Sequence, residues 1–139
     1  MSEIAETVFE TFWKTVDIPK SVRNSSLGIE LHDTAKKAFV DYFADIMNLV
    51  IFSDMKIDYF MDYSWYVTFE VTFQTDIYSE HAAPQDIKMM IQWNEDGDSC
   101  HGEGFQGFVT VPKLYRIIDG KRHNSDTILK CSTEFWSLE

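Results

Sequence analysis

Apolar residues recur with a helical period over the first third of the chain and with a strand period over the rest. Ile4, Val8, Phe9, Phe12, Trp13 and Val16 fall on one face of a 3.6-residue repeat, which predicts a helix from a Ser2 cap to about Val16. Asp17-Ile18-Pro19 should end it, because the residue before proline disfavours the α region. A polar link through Asn24, Ser25, Ser26 and Gly28 follows. A second helix is expected from about Asp33 to Leu49, with Ala35, Phe39, Tyr42, Phe43, Ile46 and Val50 on its buried stripe.

The period then becomes two. Trp65, Val67, Phe69, Val71 and Phe73 alternate with Tyr66, Thr68, Glu70, Thr72 and Gln74, the clearest strand in the chain. Ile87, Met89, Ile91 and Trp93 mark another, and Leu129, Cys131, Thr133 and Phe135 a third. Met55, Ile57 and Tyr59 suggest an earlier strand and Phe105 to Val111 a later one. Pro112 either opens a short helical turn closed by Gly120 or marks an edge strand. Helices first and strands afterwards imply an α+β fold, with two N-terminal helices on one face of a curved antiparallel sheet of four or five strands. The strand connections are too short for parallel crossovers.

The 139 residues form one domain, with a helical part over about 1–52 and a sheet part over about 53–139. Hydrophobic residues make up 45% and aromatics 15%, enough core material to exclude disorder. The net charge of −11 argues against direct nucleic-acid binding, since phosphates attract Lys and Arg. It argues equally against an anionic membrane surface. The longest apolar stretch, Ile46 to Phe52, is interrupted by Asn48 and is too short to span a bilayer. The acidic start, Met1-Ser2-Glu3-Ile4-Ala5-Glu6, is unlike a secretory leader, so a cytoplasmic location is expected. Cys100 and Cys131 then read as free, non-catalytic thiols.

Gly102-Glu103-Gly104-Phe105-Gln106-Gly107 matches G-x-G-x-x-G, but these glycines precede a strand, whereas a dinucleotide site needs them before a helix. A hairpin turn using glycine for positive φ is the simpler reading. Asn94, Asp96 and Asp98 alternate like calcium ligands, yet Ser99 and Phe105 stand where an EF-hand needs glycine and glutamate. A weaker metal grouping would join Asp96, Asp98, Cys100, His101 and Glu103; an acidic hairpin tip explains them as well, and neither a metal nor a cofactor is expected. His32, His81, His101 and His123 occur singly, without H-E-x-x-H or C-x-x-C spacing. Cys100-His101 would need a third group to orient the imidazole, and adjacent residues on a strand point apart. Glu80 with His81, between Tyr78 and Asp86, is a second candidate for acid–base work, but on balance the chain is not expected to be an enzyme.

The distribution of charge is more informative. Residues 63–104 carry Glu70, Asp76, Glu80, Asp86, Glu95, Asp96, Asp98 and Glu103 against the single base Lys88. Asp54, Asp58 and Asp62 precede them, and Tyr59, Tyr63 and Tyr78 lie among the acids. Carboxylates interleaved with tyrosines suit a surface that docks on a basic cleft: charge steers the encounter and aromatics anchor it. The expected function is that of an acidic inhibitor, like an immunity protein of a nuclease toxin or an anti-defence protein. It would occlude the basic, nucleic-acid-binding site of a partner protein through Asp58, Asp62, Tyr63, Asp76, Tyr78, Glu80, Asp86, Glu95, Asp96, Asp98 and Glu103. The alternative is a cone-shaped pocket protein for a small apolar ligand, with acid–base groups drawn from Asp41, Asp45 or His32.

Overall fold

The computed structural model describes residues 2–60, 64–73, 77–79, 85–98, 102–110, 114–124 and 132–138. Helix α1, Ser2–Trp13, buries Ala5, Phe9 and Trp13. Ser2 lies inside the helix rather than at its cap. Ile4, expected on the inward stripe, is exposed, because the stripe centres on the Ala5–Phe9–Trp13 row and Ile4 stands about 100° round from it. The chain leaves α1 through turn hydrogen bonds from Thr15 N to Phe12 O and from Val16 N to Trp13 O.

A short helix unforeseen in the sequence, α2 at Lys20–Arg23, completes this end. Its Arg23 guanidinium donates to Trp13 O at 3.3 Å and Val16 O at 2.8 Å. It thereby ties α2 to the end of α1 and to the turn that follows it. Helix α3 spans Ser26–Phe43, beginning well before Asp33. The serines read as a link are its start: Ser25 is the N-cap, and its Oγ accepts from Gly28 N at 3.0 Å. Gly28 is required by close approach, since a Cβ there would lie 1.9 Å from Val22 O. A 3-10 turn, Ala44–Leu49, replaces the last helical turns expected before the sheet.

Among the described residues eight strands follow: β1 Val50–Phe60, β2 Ser64–Phe73, β3 Ile77–Ser79, β4 Gln85–Asp98, β5 Gly102–Thr110, β6 Leu114–Ile118, β7 Lys121–Asn124 and β8 Ser132–Leu138. The main sheet has the order β1-β2-β4-β5-β8, and every pairing in it is antiparallel. In β2 the inward set Trp65, Val67, Phe69, Val71 and Phe73 is buried throughout. Phe69 meets Phe39 of α3 with ring centroids 4.9 Å apart, and Phe43 at 5.7 Å. Phe9 joins the group through Phe39 at 5.7 Å, so both long helices cover the same sheet face. A bulge near Ser53 shifts the alternation of β1, so that Phe52 and then Met55 and Ile57 turn inward. Ser53 Oγ secures it, donating to Glu70 O at 3.0 Å and hydrogen-bonding Glu70 Oε1 at 2.8 Å.

The remaining strands form a second antiparallel sheet, β3-β6-β7, unforeseen in the sequence. The segment after Pro112 is thus neither a helical turn nor an edge strand: β6 is central in this sheet. Asp119 and Gly120, at φ 52° and 77°, turn β6 into β7 with Ile118 opposite Lys121. Positive φ at both central residues matches the twist of a two-residue hairpin, and Asp-Gly is its favoured pair. The glycine-rich run is likewise strand rather than turn, lying wholly in β5, with positive φ at Gly104. Ile77 of β3 and Leu114 of β6 extend the common core.

Candidate functional site

Strand pairing divides the acids assigned to partner binding. Asp58 of β1 lies opposite Tyr66 of β2, and Tyr66 opposite Met90 of β4. Beyond Gln92, which faces Ser64 at the start of β2, β4 runs on to Asp98 and β5 returns from Gly102. The β1–β2 and β4–β5 connections therefore leave the same end of the sheet. Asp58, Glu95, Asp96, Asp98 and Glu103 occupy the strands at that end. Asp62 and Tyr63, in the connection from Phe60 to Ser64, lie outside the described residues.

The other members belong elsewhere. Asp86 pairs with Glu70, about 13 Å along β4 from Met90. Tyr78 belongs to the small sheet, where it stacks on Tyr115 at 5.6 Å and keeps 43% of its surface exposed. It is therefore not interleaved with the hairpin acids, because the chain leaves the far end of β2 before forming β3. Asp76 and Glu80, which flank β3 in sequence, lie outside the described residues, as do His81, Cys100, His101 and Cys131.

The outer face of the main sheet, away from the helices, is banded. One row across the strands is Asp58, Tyr66, Met90 and Phe108; the next is Lys56, Thr68, Lys88 and Thr110; a third is Asp54, Glu70 and Asp86. Together the first two rows and Asp86 line a shallow depression of about 610 Å³. The lysine row separates Asp58 from the acidic row Asp54, Glu70 and Asp86, which a count of charge along the chain cannot reveal. Among the described residues, no group of three His, Cys, Asp or Glu could hold a metal ion.

A second depression, of about 580 Å³, lies at the hairpin end between the 17–27 segment and the inner side of β1 and β2. Asp17, Ile18, Pro19, Val22, Leu27, Ile57, Asp58, Tyr59 and Trp65 line it. Tyr59 and Trp65 have ring centroids 4.8 Å apart. Trp65 is 2% exposed, and its Nε1 has no hydrogen-bond partner among the described residues. The sequence could not single out this site, because Asp17 and Asp58 belong to segments that only the fold brings together.

Of the acid–base residues considered in the sequence, His32 and Asp41 are not among the described lining of either depression. Asp41 is exposed and lies 3.7 Å from Lys37. His32 stands between α1 and α3, with Glu10 Oε1 at 2.6 Å and Asp33 Oδ1 at 2.9 Å. Lys36 Nζ approaches the same Glu10 oxygen at 3.4 Å. Burial pushes the Glu10 carboxyl up, but hydrogen bonds and charge from His32 and Lys36 outweigh it and hold the carboxyl below its ordinary range. Asp45 lies in the 3-10 turn.

The described residues contain no helix long and apolar enough to cross a membrane. Comparison with protein families, with curated proteins and with solved structures finds no match to this chain.

Proposed function

We propose that this chain is a small, non-enzymatic binding protein that docks on a basic surface of a partner protein and occludes it. The best-suited partner is a nuclease or another nucleic-acid-binding protein, whose Lys and Arg are arranged to receive phosphates. Carboxylates would take the places of those phosphates, giving charge-assisted hydrogen bonds and a fast, steered encounter. The observation that supports this most is the shared direction of the two hairpins, which gathers Asp58, Glu95, Asp96, Asp98 and Glu103 at one end of the main sheet. The net charge of −11 adds a long-range field of the required sign.

The mutual packing of the core side chains supports this reading over an enclosed ligand chamber. Trp65, Phe69, Ile87, Met89, Ile91 and Phe105 are fully buried against the helices or one another. The test is purification of the tagged chain from its native host, beside a variant carrying Glu95→Gln, Asp96→Asn, Asp98→Asn and Glu103→Gln. A stoichiometric basic partner that releases as salt rises, and that the variant fails to hold, is the expected result. Equal retention by both proteins, indifferent to salt, would refute it.

A further inference from the structure

We propose that two copies of this chain meet through the outer face of the main sheet, packed face to face about a two-fold axis that crosses the strands. The proposal goes beyond the docking reading and does not depend on it. Helices cover the inner face of the sheet. On the outer face Ile51, paired with Thr72, continues the banding past the row of Asp54 and Glu70. Ile51 and Phe108 stay 59% and 41% exposed there, with Met90 half-buried between the strands.

The order of charge selects the occupant. Lys56 of β1 and Lys88 of β4 share one row, and Asp54 and Asp86 of the same two strands stand in the next. Among the described residues Lys56, Lys88, Asp58 and Asp86 form no ion pair. A two-fold axis lying between those rows sets the lysine row of each copy on the acidic row of the other. Lys56 then faces Asp54 of the second copy, Lys88 faces Asp86, and Thr68 faces Glu70. Symmetry makes every such pair twice. Packed sheets lie about 10 Å apart, a gap that a lysine and a carboxylate side chain span together.

Other arrangements fail on the same rows. An axis along the strands sets each row on itself, acid against acid. A foreign partner would need this alternation of sign at this spacing, whereas a second copy carries it by construction. Both copies are acidic, but the two-fold turns their hairpin ends, with Glu95, Asp96, Asp98 and Glu103, in opposite directions. Asp58 falls within the covered face.

The area suits a weak dimer. Strands β1, β2, β4 and β5 span about 19 Å, and the stretch from Ser64 to Thr72 runs about 27 Å. The face is thus about 500 Å² on each copy and about 1,000 Å² in total, the low end for a specific interface.

Sedimentation equilibrium of the full chain, from about 1 µM to about 1 mM, tests this. The variants are Lys88→Glu and Asp86→Lys, both at exposed positions of β4 and neither among the hairpin acids. Wild type is expected to dimerise within that range. Each variant alone sets two like-charge pairs across the axis, so its self-association should weaken at least about tenfold. An equal mixture of the two should associate again, because each exchanged charge meets its opposite. Lys56→Glu, exposed on β1, should weaken the dimer likewise and tests the same row from another strand. A wild-type chain that stays monomeric throughout overturns the proposal. So does a dimer that Lys88→Glu and Lys56→Glu leave intact, or a mixture of folded variants that associates no better than its components.

Discussion

His32 Nε2 of α3 lies 2.6 Å from Glu10 Oε1 of α1, tying the two long helices together where the Phe9 and Trp13 rings meet the imidazole edge-on at 5.6 and 5.0 Å. The pair has a consequence for pH. Glu10 is held below its ordinary value of 4.5, so the folded state favours its charged form. A carboxyl lowered in this way adds stability above its unfolded pKa and loses that contribution as pH falls through the folded pKa. Wild type should therefore exceed Glu10→Gln in melting temperature at neutral pH, and the two should converge below about pH 4.5. A constant gap across the acid range would show that Glu10 acts by packing alone.

Phe69 is fully buried where the aromatic stripe of β2 meets that of α3. Phe69→Ala removes a ring that contacts Phe39, Phe43 and Phe52, and the rigid surroundings cannot collapse fully into the gap. Urea unfolding should show a loss of about 3–5 kcal/mol. A loss below about 1 kcal/mol would mean that the two stripes do not pack as described.

Gly28 and Gly120 should fail for different reasons. At Gly28 an added methyl meets backbone, Val22 O at 1.9 Å and Val22 C at 2.9 Å, which cannot rotate away. Gly28→Ala should cost about 2–3 kcal/mol by forcing α2 from the start of α3. The change should also disturb the amide resonances of Val22 and Arg23.

At Gly120 nothing lies within 4 Å, so the penalty is purely conformational. Its φ of +77° places a Cβ against its own backbone. Gly120→Ala should cost about 1 kcal/mol, with faster amide exchange confined to β6 and β7. Gly120→Asn, which tolerates this conformation better, should recover part of the loss.

The period of hydrophobicity by itself determined much of this protein. The β2 stripe from Trp65 to Phe73 and the helical stripe through Phe39 and Phe43 each demand a buried partner, so α+β packing was legible from spacing alone. Local chemistry was present but harder to weigh. Ser25, three residues before Gly28, signals a helix start, and Asp119-Gly120 signals a hairpin; a serine-rich link and a proline-led turn competed with them. Only tertiary structure decided the rest. A bulge at Ser53 reversed the faces of β1, and the β2–β4 and β5–β8 connections, which leave the same end of the main sheet, carry a second sheet. The candidate site belongs to this second group. Asp17, Asp58 and Trp65 come from different elements, and Tyr78, placed by sequence beside the acids, belongs to another sheet. Charge along the chain is a one-dimensional property, whereas a docking surface depends on which strands pair and which ends align. That alignment is set by burial of the opposite face, where the selective energy of folding lies.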